Sequence, residues 1–102
     1  MLETNTLIEA IVQILKATLY GEEEDSAFIA GSIWVLRSVA KRLTLSAKES
    51  ETLHAGVWNI IIEYHKNASI PKNADTIQVL EFLRDDLSTM AYNAKVKEAS
   101  FK

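Results

Sequence analysis

The chain has 102 residues and a formal net charge of −3, with 48% hydrophobic and 25% charged residues and no cysteine. This length allows one domain with its own apolar core, so we expect residues 1–102 to form a single domain. The lack of cysteine excludes disulfides, thiolate metal sites and a cysteine nucleophile, and the 3 glycines and 1 proline are too few for the many turns of an all-β domain.

Four segments have the periodicity of amphipathic helices, with apolar residues three and four positions apart. The first helix is predicted over 6–20, where Thr6 and Glu9 match a capping box and Gly21 follows as a stop. The second is predicted over 26–43. It begins after four acidic residues and ends with basic ones, an order that complements the helix dipole.

The third helix is predicted over 47–66, where Ser46 and Glu49 form a second capping box. The fourth is predicted over 76–97, with Asp75 as its N-cap. Short links between helices of similar length favour antiparallel neighbours. The sequence therefore predicts an all-α fold, an up-and-down four-helix bundle in which consecutive helices pack side by side.

The two middle helices carry apolar residues outside the stripes that face the predicted core. Trp34 lies well off the stripe of the second helix, beside small residues that favour close approach of another helix. Trp58 lies on a second line of the third helix. Tryptophan is enriched at interface hot spots, so we expect a homodimer or a partner-binding surface, and the alternative is that the monomer buries both faces. The predicted interface comprises Trp34, Trp58, Ala27, Ala30, Gly31, His54, Ile62 and His65.

One spacing typical of metal sites occurs in the third helix. Glu51 and His54 have the E-x-x-H spacing of carboxylate-bridged metal bundles, and the acidic run 22–25 with acids of the fourth helix could add ligands. This pattern indicates an alternative function, that of a metal-dependent helical-bundle enzyme. Because the inward stripes are almost wholly apolar, we expect no catalytic residue, no metal and no cofactor.

A helix-turn-helix interpretation of 40–53 gives a further alternative, a weak DNA binder. Its recognition helix would carry a single base at its start, followed by Glu49 and Glu51, whereas phosphate contacts need several bases. We therefore do not expect a nucleic-acid partner. The basic residues in and around this segment are Arg37, Lys41, Arg42 and Lys48.

The sequence as a whole favours a small non-enzymatic protein-interaction or regulatory module, such as an inhibitor, adaptor or assembly factor. We expect it to self-associate through the second apolar faces of its second and third helices. No apolar run approaches the ~20 residues of a membrane span, and the N-terminal residues lack the basic segment of a signal peptide. With no cysteine to oxidise, a cytoplasmic location is the simplest expectation.

Overall fold

The computed structural model describes residues 3–22 and 25–100, and these residues form four α-helices and no strand. The helices pack around one apolar core, which confirms the predicted four-helix bundle. In chain order the helices are α1 (Thr4–Tyr20), α2 (Ser26–Lys41), α3 (Ala47–Lys66) and α4 (Ala74–Ala99).

The core is built from one apolar stripe of each helix, as the periodicity predicts. Each leucine, isoleucine or valine buried there contributes about 1.5–3 kcal/mol by leaving water, so these stripes hold the bundle together. The largest side chains that are fully buried are Leu15, Ile33, Leu53, Leu80, Leu83, Leu87 and Val57.

The four helices alternate in direction along the chain. Val12 in the middle of α1 lies against Gly56 in the middle of α3. Residues at the starts of both helices line one pocket and residues at their ends line another, so α1 and α3 are parallel. The starts of α2 and α4 line the same pocket, Trp34 contacts Phe82 further along, and Arg37 contacts Asp86 beyond that. Because the contacts advance in the same direction on both helices, α2 runs parallel to α4. The backbone N–H of Ala47 at the start of α3 donates to the carboxylate of Glu98 near the end of α4, so α3 and α4 are antiparallel.

Around the bundle, however, the helices follow the order α1, α2, α4, α3. Within the described helices, no Cα atom of α2 lies within 8 Å of a Cα atom of α3. The expectation that all consecutive helices are neighbours is therefore wrong for this pair, which occupies a diagonal. The link 42–46 can reach across, because five extended residues span about 16 Å and the diagonal of a bundle is about 13 Å. Leu43 and Leu45 of this link pack on the core as it crosses the bundle end.

The helix ends confirm one predicted cap and correct two others. Ser46 and Glu49 form the capping box of α3. At α1 the helix already begins at Thr4 after Glu3, which makes no side-chain cap, so the predicted box at residue 6 is wrong. At α4 the carboxamide of Asn73 accepts from the backbone N–H groups two and three residues on, and Asp75 lies in the first turn instead of capping it.

The end of α2 also differs from its predicted position. The helix ends at Lys41 instead of residue 43, because the N–H groups of Arg42 and Leu43 bond carbonyls only three residues back. Such three-residue bonds tighten a last turn and finish a helix. The start of α2 has a built cap, since the Asp25 carboxylate accepts from the backbone N–H groups of Ala27 and Phe28.

Candidate functional site

Exposed apolar side chains concentrate on α2. Of the nine large apolar side chains that are exposed among the described residues, four belong to this helix of 16 residues. Phe28 and Val35 are each 61% exposed, far above what a core residue shows. We call the following set the α2 face: Phe28, Gly31, Trp34, Val35 and Val39.

The neighbouring helix α1 extends this apolar surface. Ile14 is 50% exposed. Its side chain lies about 200° around α1 from Val12, which contacts α3, and it is therefore on the side of α1 that adjoins α2. The apolar surface thus continues from the α2 face towards α1.

The α2 face has no free charge. From Ser26 to Leu36 the helix contains no charged residue. Its only two cations both lie against Asp86 of α4: Arg37 forms an ion pair with that carboxylate through Nε, and Lys41 Nζ lies 3.9 Å from it. The charges of α2 are therefore turned towards α4, and the outward side is left neutral.

Trp34 lies at the α4 edge of the α2 face. The guanidinium carbon of Arg37 is 4.6 Å from the centroid of the Trp34 ring and 5.1 Å from that of Phe82. The two rings meet edge to face at 6.4 Å. A cation held over aromatic rings contributes about 0.5–1 kcal/mol at an exposed site, so this cluster fastens α2 to α4. Trp34 nevertheless remains 50% exposed, and the monomer does not enclose it.

Trp58 belongs to a different cluster, on the opposite side of α4. Its ring stacks on His54 at a centroid distance of 6.5 Å, and the guanidinium carbon of Arg84 lies 5.4 Å from it. We call these three residues the Trp58 cluster. Trp34 contacts Phe82 and Trp58 contacts Arg84, and these two α4 positions lie about 200° apart around the helix, so the tryptophans are on opposite sides of α4. They form two surfaces instead of the one that the sequence led us to expect.

The other residues of the predicted interface divide between the two sides. Ala27 and Gly31 are exposed on α2, whereas Ala30 is half-buried against the core. On α3, Ile62 is half-buried and His65 is exposed, with its ring edge-on to a neighbouring tyrosine. The residues that this prediction missed are Phe28, Val35, Val39 and Ile14. The uncharged stretch from 26 to 36 is the sequence feature that could have revealed the first two.

Two helix-interior glycines have different surroundings. A Cβ atom added to Gly56 would lie 2.9 Å from Cγ2 of Val12, so this glycine allows α1 and α3 to approach closely. A Cβ atom added to Gly31 would meet no atom of the described part of the chain within 4 Å. Glycine inside a helix costs about 1 kcal/mol relative to alanine. The packing of the described residues explains this cost at Gly56 and leaves it unexplained at Gly31.

The predicted metal ligands are not gathered into a cluster. Glu51 is exposed, and His54 stacks on Trp58. Among residues 3–22 and 25–100, no group of three His, Asp or Glu side chains is placed to hold a metal ion. Residues 23 and 24 of the acidic run lie outside the described part of the chain.

The predicted basic residues are also divided. Arg37 and Lys41 lie against Asp86, whereas Arg42 and Lys48 are exposed near the ends of α2 and α3. A helix-turn-helix motif packs its two helices on each other. Here α2 and α3 lie on a diagonal, out of contact over their described lengths.

An open cavity of about 890 Å³ lies at the end of the bundle, between the α1–α2 and α3–α4 links. Lys72 stabilises the α3–α4 link in one wall, because its Nζ donates to the carbonyls of Asn67 and Ile70 at 2.7 Å each. Another wall includes Tyr20, whose buried hydroxyl has no hydrogen-bond partner among the described residues. Burial, and secondarily the carboxylate of Glu63, raise the pKa of Tyr20.

No model of a known protein family, no curated protein and no solved structure matches this chain. None of the helices in the described residues combines the length and the apolar content needed to cross a membrane.

Proposed function

We propose that this chain is a small non-enzymatic protein-interaction module with a regulatory or assembly role, and that the α2 face is its binding surface. The observation that carries the proposal is the exposure of Phe28, Trp34, Val35 and Val39 on one helix without a free charge among them. Exposed apolar patches of this kind mark contact surfaces. With no cysteine in the chain, a reducing compartment such as the cytoplasm fits this role.

The partner that fits the α2 face is the apolar side of an amphipathic helix. The α2 helix has 16 residues and is therefore about 24 Å long. Phe28, Val35 and Val39 are spaced by seven and four residues, the repeat with which one helix packs its side chains against another. A groove-binding helix reads such a surface through anchors at this spacing.

Charge also selects the partner. Because the cations of α2 lie against Asp86, an acidic or basic partner would find no counter-charge on the α2 face. A buried charge without a partner costs several kcal/mol, so a neutral apolar helix binds here in preference to a charged one. The Trp58 cluster is more polar than the α2 face, because Arg84 and His54 border the Trp58 ring.

A capture experiment with matched variants tests this assignment. The tagged chain is incubated with an untagged copy of itself in a cell lysate, beside the tagged variants Val35→Glu and Ala55→Glu. Both positions are exposed and lie inside helices, so the variants differ mainly in the surface that receives the carboxylate. We expect Val35→Glu to lose at least about tenfold in whatever the wild type captures, since an unpaired charge there costs more than about 1.4 kcal/mol.

The control variant Ala55→Glu should capture as the wild type does. Equal capture by both variants would contradict the assignment of the surface to α2. If Trp58→Ala abolishes capture while Val35→Glu leaves it intact, the binding surface belongs to the Trp58 cluster instead. Circular dichroism of each variant establishes that the helices remain folded.

A further inference from the structure

We infer that the helix docked on the α2 face is α2 of a second copy of this chain, in an antiparallel pair that crosses at Gly31 and Ser32. The inference rests on the proposed function, which requires only that some apolar helix binds there. It adds the identity of that helix and the register in which the two meet.

The first argument is the charge at the two ends of α2. Asp25 caps the start of α2, whereas Arg42 directly follows its last residue and is exposed. In an antiparallel pair, the acidic start of each copy lies beside the basic end of the other. A parallel pair would place like charges side by side at both ends. Exposed ion pairs contribute about 0.2–1 kcal/mol each, so the two ends favour the antiparallel arrangement.

The second argument is the neutral stretch between these ends. In a two-fold interface, the same surface patch is present on both sides, so a charge near the axis meets a copy of itself. The α2 face contains no free charge between Ser26 and Leu36. A second copy can therefore cover it without like-charge repulsion.

The third argument is the register that the small residues define. Gly31 and Ser32 lie near the middle of Ser26–Lys41, and a Cβ atom at Gly31 would have open space around it. A crossing point between these two residues places Phe28 of one copy opposite Val35 of the other. Both of these side chains are 61% exposed in the monomer.

The size of the α2 face sets the strength of the pair. A helix face about 24 Å long and roughly 10–20 Å wide covers about 250–500 Å², less than the ~800 Å² per partner of a standard stable interface. We therefore expect a reversible dimer with a dissociation constant on the order of micromolar.

Two single-cysteine variants test the register in a chain that has no cysteine of its own. In the proposed pair, Gly31→Cys places the two thiols at the crossing point, on the exposed side of the helix. Ser38→Cys places them about 20 Å apart along the axis, far beyond the roughly 7 Å between Cα atoms that a disulfide tolerates. Under mild oxidation at roughly 100 µM, we expect covalent dimers from Gly31→Cys and at least about tenfold fewer from Ser38→Cys.

Each other outcome overturns a defined part of the account. Equal dimer yields at both positions would exclude the antiparallel register. No dimer from either variant, together with a monomeric wild type at the same concentration, would exclude the second copy. In that case, α2-dependent capture of a different protein would leave the proposed function intact, whereas loss of that capture as well would remove both.

Discussion

The contact between α1 and α3 and the outward face of α2 each contain a glycine inside a helix, yet only one of the two glycines has an explanation within the monomer. Gly56 lies against Val12, with no room for a Cβ atom, whereas Gly31 faces open space. In the first region, folding alone brings the glycine into close contact with a neighbouring helix. The second has exposed apolar residues, no free charge and a glycine that folding alone does not require, and these properties support the proposal that the α2 face is a binding surface.

The two sides of α2 differ in burial, so one side holds the bundle together and the other is the proposed binding surface. On α2, the inward residues Ile33, Leu36 and Ala40 are buried, whereas Phe28 and Val35 on the other side are exposed. The four predictions that follow test this division, from the largest expected effect to the smallest.

A core substitution in α3 should cost far more stability than a substitution on the α2 face. Leu53 is fully buried, so Leu53→Ala should lower the free energy of unfolding by about 2–5 kcal/mol. Val35→Ala removes an exposed side chain and should change that free energy by less than about 0.5 kcal/mol at concentrations where the chain is monomeric. Urea denaturation measures both values. Similar losses for the two variants would show that Val35 is part of the core.

Removal of the ion pair should loosen α2. Arg37 and Asp86 have side chains only 18% and 22% exposed, so Asp86→Asn leaves a largely covered guanidinium without its carboxylate. We expect a loss of about 1–2 kcal/mol in the free energy of unfolding and faster amide hydrogen exchange in α2. Asp85→Asn is the control, because the Asp85 side chain is 67% exposed and pairs with Arg84. Equal effects of the two variants would argue against this role of Asp86.

The two glycines should respond to alanine with opposite signs. Gly31→Ala gains helix propensity without a clash and should stabilise the monomer by up to about 1 kcal/mol. Gly56→Ala brings a Cβ atom onto Val12, and the forced shift should cost about 1 kcal/mol overall. Val12→Ala in the same chain as Gly56→Ala should recover part of that loss. The prediction fails if both glycine variants change the free energy of unfolding in the same direction.

Tyr20 should give the smallest effect. Within residues 3–22 and 25–100 its buried hydroxyl has no hydrogen-bond partner, so Tyr20→Phe should stabilise the chain by about 1 kcal/mol or less. Burial and the nearby Glu63 raise the pKa of Tyr20 in the folded state. Folding therefore favours the protonated hydroxyl of Tyr20. The free energy of unfolding of the wild type should fall as the pH rises above about 10. The difference in stability between Tyr20→Phe and the wild type should widen there, and a constant difference would contradict this origin of the effect.

The sequence predicted the local features of the fold well and its lateral arrangement less well. Periodicity identified the four inward stripes and the capping box at Ser46, because both depend on residues within one turn of a helix. Helix order around the bundle depends on contacts between distant residues. The crossing of the link 42–46 over the bundle end, with Leu43 and Leu45 on the core, is not visible in any local pattern.

The candidate site was partly predictable for the same reason. A helical wheel placed Trp34 and Gly31 off the inward stripe of α2, where the structure also has them. The wheel could not show that α4 separates Trp34 from Trp58, since that separation follows from the order of the helices. Nor could it show that Arg37 turns towards Asp86 and leaves the outward side of α2 neutral.

The most direct test of the account is sedimentation equilibrium of the wild type, Val35→Glu and Trp58→Ala between about 1 and 100 µM. We expect the wild type and Trp58→Ala to rise with concentration from the monomer mass of 11.4 kDa towards twice that value. Val35→Glu should remain at the monomer mass throughout. A Val35→Glu variant that associates as strongly as the wild type would show that the α2 face is not the contact surface.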